Sequence, residues 1–302
     1  MSKTLIVLLG PTGVGKTELC LQIAEHLNTP IINADSRQIF KEIPIGTAAP
    51  TKEQQIRVKH YFVGNHSISD YYSASMYEED VMHLLTNNLF KHSDTAIMSG
   101  GSMMYIDAVC NGIDDIPTID ANTREMMKQR LESEGLQTLV DELKVLDPQH
   151  WEIVDRNNPR RVVHALEICH ATGQTYTSFR KNETKIRPFN ILKIGLTRSR
   201  NILYERINTR VLDMIDKGLE KEALAVYDKR ETNALNTVGY KEMFEYLDGL
   251  TTLNQCIFKI QSNSRKYCRK QETWFKRDKT INWFSPDNIK EIIKFIDYRL
   301  IP

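Results

Sequence analysis

The residues Gly10-Pro11-Thr12-Gly13-Val14-Gly15-Lys16-Thr17 carry the clearest chemistry in the chain. They fit G-x-x-x-x-G-K-[ST], the phosphate-binding loop. Its glycines let successive backbone N–H groups turn toward phosphate oxygens, and a helix starting at its end adds a favourable dipole. Lys16 supplies a point charge, and the Thr17 hydroxyl is a candidate Mg²⁺ ligand. Arg206 and Arg210 stand four apart, so on a helix they share one face, which by itself reads as a solvated surface. Asp35 closes an apolar run, where a parallel sheet builds its site. Its carboxylate could be a general base, a magnesium ligand, or only a cap for the next helix. A loop of this kind in an ATPase is usually accompanied by an acid after a later hydrophobic strand. Here Ala96-Ile97-Met98 runs into Ser99-Gly100-Gly101-Ser102, with no acid.

Apolar runs at 5–9, 30–34, 95–99 and 191–196 read as strands alternating with helical stretches. The expected fold is α/β, a P-loop NTPase-like parallel sheet flanked by helices. The run at 4–9 enters a glycine loop rather than a small-residue cleavage site, so it reads as a first strand and not as a signal segment. Residues 200–217 carry Leu203, Ile207, Val211, Met214 and Ile215 at helical spacing, stopped by Gly218. The stretch 119–187 is polar and helical, without a strand candidate. Residues 124–134 and 136–146 form a helical pair joined at Gly135; 159–172 form another helix, with Asn158 as N-cap and Gly173 as stop. The sequence therefore predicts a core, 1–118 with 190–302, interrupted by an all-helical insertion at 119–189. The plainer alternative is that these helices only cover the sheet.

A chain of 302 residues, 41% apolar and 26% charged, can bury its own core without disulfides or metals. The five cysteines, Cys20, Cys110, Cys169, Cys256 and Cys268, are odd in number and form no C-x-x-C pair. That disfavours a disulfide framework and a zinc site, and suits a reducing cytoplasm. No apolar run approaches the roughly 20 residues of a membrane span. The net charge of +1 leaves only local charge to be read.

With Asp35-Ser36-Arg37-Gln38 the chain resembles the tRNA dimethylallyltransferase (tRNA isopentenyltransferase) family. The likeness extends over the loop 10–17, Gly46-Thr47-Ala48, Gly100-Gly101-Ser102 with Tyr105, Arg160-Arg161 with Ala165-Leu166-Glu167, and Thr172-Gly173. It continues through Arg206 and Arg210, Val238-Gly239-Tyr240-Lys241-Glu242, and Arg269-Lys270-Gln271 with Thr273-Trp274-Phe275. The order and spacing of these blocks carry the resemblance. It implies transfer of a dimethylallyl group from dimethylallyl diphosphate to the N6 amine of the adenosine just 3′ of the anticodon. The tRNAs concerned read codons starting with U. It also implies an insertion that grips the anticodon stem-loop, and a target adenosine flipped out of its stack.

The resemblance assigns Asp35, Thr17 and Arg210 to catalysis. It assigns Gly10, Pro11, Thr12, Gly13, Val14, Gly15, Lys16, Thr17, Arg206 and Arg210 to the diphosphate, and Mg²⁺ to Thr17. For tRNA it points to Asp35, Ser36, Arg37, Gln38, Gly101, Ser102, Arg124, Arg160, Arg161, His164, Lys266 and Lys270. It implies a cytoplasmic enzyme with no membrane partner, and a monomer is the default. The chain departs from the family pattern at Ala49, Lys59, Ser102, His164 and Arg269. These changes bear on tRNA affinity and choice; none removes a proposed catalytic group.

On a helical wheel, residues 256–277 place Lys259, Lys266, Lys270 and Arg277 within about 40° of one another. Arg265, Arg269 and Lys276 lie beside them; Ile257, Ile260, Tyr267, Trp274 and Phe275 fall opposite. Such a stripe suits a phosphate backbone, or else is a solvated face. Three rivals share parts of the pattern. A small-molecule P-loop kinase, or an isopentenyltransferase acting on free adenine nucleotides, needs neither the insertion nor the stripe. A GTP-binding switch would need a guanine-reading Asn-Lys-x-Asp run, which is absent.

Overall fold

The computed structural model describes residues 3–181 and 183–301; Met1, Ser2, Asn182 and Pro302 lie outside the described residues, as do the expected outer limits 1 and 302 of the core. Among the described residues, six parallel strands form one sheet, in the order β3-β2-β4-β1-β5-β6. They are β1 (Thr4–Leu9), β2 (Ile31–Ala34), β3 (His60–Tyr61), β4 (Thr95–Gly100), β5 (Asn190–Leu196) and β6 (Asn282–Phe284). All of β1 is buried, as its unbroken apolar run requires of a strand covered on both faces. Its side chains alternate. Leu5, Val7 and Leu9 join one core with Met98, Tyr77 and Val109, and Ile6 and Leu8 join another with Leu21, Ile194, Leu203 and Ile207.

The edge strands β3 and β6 were not expected. They are two and three residues long and half-buried, too short for an alternation to show. A third apolar cluster, with Ile39, Ile43, Leu219, Tyr240, Met243 and Ile260, lies under the segments that follow β2 and the Arg200–Asp216 helix.

The described residues form two compact units. One runs up to Asn111 and resumes at Ile186; the other is Gly112–Lys185. The second unit begins seven residues before the expected 119 and ends four before 189. Its main helix, Ala121–Leu146, starts at the Asp120 cap, which accepts the Thr123 N–H at 2.9 Å. At Gly135 the backbone leaves helical geometry with φ 81° and ψ 164°, so the run is two helical halves. The Pro159–Thr172 helix starts at Asn158 and stops at Gly173, whose φ of 68° only glycine adopts cheaply. Met127, Leu139, Leu143, Val162 and Leu166 make this unit's own core. Buried Asp147 ties its end down, accepting from the Thr177 N–H (2.8 Å) and hydroxyl (2.7 Å).

Arg187 anchors the chain where it re-enters the first unit. Its buried guanidinium meets Glu78 at 2.7 Å and donates to the carbonyls of Ala108 (2.7 Å) and Val109 (2.9 Å). Those carbonyls belong to the last turns of the Met103–Asn111 helix, where a cation is favoured. All five cysteines are free and buried. Among the described residues no helix is long and apolar enough to cross a membrane.

Candidate active site

The loop between β1 and the Lys16–His26 helix turns at Gly13 (φ 82°) and Gly15 (φ 107°), conformations that side chains resist. Its carbonyls are held from outside. Lys16 Nζ donates to Gly10 O (2.8 Å) and Pro11 O (2.9 Å), Arg206 Nε to Gly13 O (2.8 Å), and Arg198 Nε to Val14 O (2.9 Å). Two of the loop N–H groups are engaged as well, that of Val14 by Pro11 O at 3.3 Å and that of Thr12 by Gln271. Those of the first helical turn, at Lys16 and Thr17, have no intrahelical acceptor.

Gln271 closes the loop from the far end of the chain. Its Oε1 accepts the Thr12 N–H at 2.9 Å, and its Nε2 donates to Gly101 O at 2.8 Å. Gly10, Pro11 and Val14 are buried behind the loop, whereas Thr12, Gly13, Gly15, Lys16 and Thr17 line the cleft. The first three therefore shape the cradle rather than face a ligand.

The charges around the loop are poised for an anion. Burial pushes the Lys16 ammonium down to about 8; Arg210 adds to the shift and Asp35 opposes it. Burial also pulls Arg210 below the usual guanidinium range. Arg210 donates to the Thr12 hydroxyl, while its buried Nε has no hydrogen-bond partner. An unsatisfied buried guanidinium N–H beside a phosphate loop is costly unless an anion meets it. Arg206 is exposed, and Arg198 pairs with Asp287 at 2.6–2.7 Å. Arg198 was not anticipated. It lies just past the end of β5, and the strand-end rule that singled out Asp35 would have found it.

Asp35 follows β2 directly, and its Oδ1 accepts the Arg37 N–H at 3.0 Å. The neighbouring strand end holds this turn in place. Ser102 donates its N–H to Ala34 O (3.1 Å), accepts the Ser36 N–H (2.8 Å), and meets the Ser36 hydroxyl at 3.0 Å. This requires backbone contact, and Gly100 permits it: a Cβ there would stand 2.1 Å from Ala34 O. Gln38 points its amide nitrogen at Thr47 O (3.0 Å) and Ala48 O (3.1 Å). Among the described bonds its nitrogen is thus spent on the 45–48 turn. Glu222 fixes the same turn, accepting the Ile45 and Gly46 N–H groups at 2.8 Å each and the Tyr240 hydroxyl.

One cleft of about 1000 Å³ joins these parts. Lys16, Thr17, Asp35, Ser36, Arg37, Gln38, Gly101, Ser102, Arg206 and Arg210 all line it. Among the described residues no group of three or more His, Cys, Asp or Glu could hold a metal. The nearby oxygens, the Thr17 hydroxyl and the Asp35 carboxylate, fit an Mg²⁺ that draws most ligands from phosphate and water, not a protein cage.

The basic helix differs from its wheel. It spans Leu253–Phe275, so Arg277 lies beyond it, over the Trp274 ring. Lys259 pairs with Glu245 at 2.6 Å, Arg265 meets Asn208, and Arg269 donates to the Tyr204 hydroxyl at 2.8 Å. Lys266 and Lys270 are exposed. Tyr267, placed by the wheel on the apolar side, is 37% exposed and lines the cleft, because that helix face borders the site instead of the core. In the second unit, Arg160 and Arg161 are exposed in the first turn of their helix; His164 lies one turn on, beside Glu167 at 3.4 Å. Arg124 is half-buried in the first turn of the Ala121–Leu146 helix.

A strand, a glycine loop and a helix at the carboxyl edge of a parallel sheet, with cations over the loop, define a P-loop α/β protein. Within that class the chain belongs to the IPP transferase family, whose model matches residues 38–278. It is 61% identical over 296 residues to tRNA dimethylallyltransferase 1 of Phocaeicola vulgatus, covering 98% of each chain. Among solved structures, it is similar to the tRNA isopentenylpyrophosphate transferase of Bacillus halodurans (TM-score 0.72, 34% identity, 99% of this chain and 97% of that one). A eukaryotic dimethylallyltransferase acting on tRNA matches with TM-score 0.80 and 25% identity, over 99% of this chain and 77% of that one.

Proposed function

We propose that this chain transfers a dimethylallyl group from dimethylallyl diphosphate to the N6 amine of the adenosine just 3′ of the anticodon, in tRNAs reading codons that start with U. The products are N6-dimethylallyladenosine and diphosphate. The observation that carries this reading is the shared cleft: a carboxylate, Asp35, in the same cavity as a cationic phosphate cradle. The names of the relatives support tRNA as acceptor over the kinase and free-nucleotide alternatives.

The adenine amine is a poor nucleophile, because its lone pair is delocalised into the ring. As its nitrogen bonds to C1 of the dimethylallyl group, the C1–O bond breaks and the diphosphate leaves with the electron pair. Asp35 accepts the N6 proton. Lys16, Arg210 and the loop N–H groups meet the charge that grows on the leaving group, with Arg206 at the exposed edge. Thr17 and the diphosphate would hold Mg²⁺, which adds positive charge there. Ser36, Arg37, Gln38, Gly101 and Ser102 face the flipped adenosine. Arg124, Arg160, Arg161, His164, Lys266 and Lys270 grip the anticodon stem-loop. Five free, buried thiols suit work in the cytoplasm, and a monomer is the default.

The test is to incubate the protein with labelled dimethylallyl diphosphate or ATP and tRNA, AMP or neither. Label passing from dimethylallyl diphosphate to tRNA is expected, and transfer from ATP or to AMP alone overturns the reading. Asp35→Asn should cost about 10²–10⁴ in single-turnover rate with both substrates bound. If raised Mg²⁺ restores that rate, Asp35 serves the metal instead; a rate within a few fold of the parent rejects the base role.

A further inference from the structure

The Arg198 guanidinium is engaged on two sides at once. Its Nε donates to Val14 O at 2.9 Å, and its two terminal nitrogens fork onto the Asp287 carboxylate at 2.7 and 2.6 Å. Asp287 stands in the turn between β6 and the Ile289–Leu300 helix. The Arg198 side chain is 15% exposed and that of Asp287 65%. An ordinary ion pair at such a place contributes little. A bidentate fork does something else: it fixes the plane of the guanidinium as well as its position. The Arg198 fork also holds the Asp287 carboxyl below the usual carboxylate range.

What Arg198 fixes in turn is one peptide plane of the phosphate loop. The Val14 carbonyl and the Gly15 N–H belong to the same trans peptide and point opposite ways. Capture of the carbonyl therefore aims the N–H in the other direction. Gly15, with φ 107° and no side chain, offers little resistance of its own to a swivel of that plane. The Gly15 N–H matters because few others remain. Pro11 has none, the Thr12 N–H goes to Gln271, and that of Val14 goes to Pro11 O. Between Pro11 and the helix, Gly13 and Gly15 are left to donate to a phosphate oxygen.

We propose that Asp287 is a positioning residue for the diphosphate: it locks Arg198, and Arg198 locks the Gly15 N–H toward the phosphate. The inference rests on the functional reading above. It runs against simple electrostatics. A carboxylate near an anion cradle repels the ligand, so charge alone predicts that removing Asp287 tightens binding and frees Arg198 to help. Positioning predicts the opposite sign.

The experiment uses the full chain, with inorganic diphosphate in calorimetry and dimethylallyl diphosphate with tRNA in kinetics. Asp287→Ala should weaken diphosphate binding, and raise KM for dimethylallyl diphosphate, by about 2- to 12-fold, the worth of one hydrogen bond. KM for tRNA and the single-turnover rate at saturation should hold. Asp287→Asn, which keeps the shape and one acceptor, should lose less. Arg198→Lys keeps the charge but not the fork, and adding Asp287→Ala to it should cost nothing more. Unchanged or tighter diphosphate binding by Asp287→Ala overturns the inference, as does an equal rise in KM for tRNA, which would mark general loosening. In those cases the functional reading stands. If the parent itself fails to bind diphosphate, both fall.

Discussion

Burial holds the loop lysine in an unfavourable state, and that can be read by titration. Lys16 drops from 10.5 to about 8, chiefly through burial. At 1.36 kcal/mol per unit, the cation carries a penalty on the order of 3 kcal/mol in the folded protein. The folded value lies below the unfolded one. The penalty is therefore fully present below about pH 8 and fades as pH rises toward 10.5, so this group makes stability rise with pH across that window. A diphosphate beside Lys16 reverses the balance, because it favours the charged amine. Binding should then draw in a proton above about pH 8, approaching one per site near pH 9, and affinity should fall up to about tenfold per further pH unit. Calorimetry with an unreactive dimethylallyl diphosphate analogue, in buffers of different ionisation enthalpy, counts that proton. Lys16→Met sets the baseline for the ligand's own titration and should bind more weakly while keeping its tRNA affinity within a few fold. Equal proton uptake by parent and Lys16→Met from about pH 7.5 to 9.5 would refute the reasoning.

Gln271→Leu should strip partners from the Thr12 N–H and Gly101 O, at roughly 1–2 kcal/mol each. A Tm lowered by about 3–6 °C in scanning calorimetry is the expected result, and an unchanged Tm would show that neither bond matters. Glu222→Ala releases the turn that receives Gln38, so KM for tRNA should rise while diphosphate affinity holds; Glu222→Gln, which keeps one acceptor, should recover part. A change in diphosphate affinity of equal size would mean general loosening instead. Replacing Lys266 and Lys270 with Ala should flatten the salt dependence of tRNA binding by about one unit of slope per lost phosphate contact. An identical slope would mark both as ordinary solvated surface.

What the sequence disclosed was local. Loop residues 10–17 sit within one strand–turn–helix, so spacing alone displays them. Asp35 was found because strand ends have a common destination. Gln271 escaped notice as a support because its partner Thr12 is 259 positions away, and no periodicity links them. Glu222 acts over 176–177 positions on Ile45 and Gly46. The helical wheel set Tyr267 and Trp274 opposite the lysine stripe although at 100° per residue both fall only about 40–100° from it, and it could not say what covers each face: Glu245, Asn208 and Tyr204 engage three of the stripe's cations, and the cleft takes Tyr267. Edge strands β3 and β6 are set by pairing with β2 and β5, not by patterns of their own.

Arg187 clasps the turns through which the chain departs at Ala108 and Val109, so exit and return are held side by side on the sheet-bearing unit. A detour leaving and rejoining at one spot can be lengthened, shortened or exchanged without altering sheet register, since the entropic toll of a longer loop grows only logarithmically. The helical segment can thus diversify as a graft, while the sheet-bearing unit keeps its connectivity.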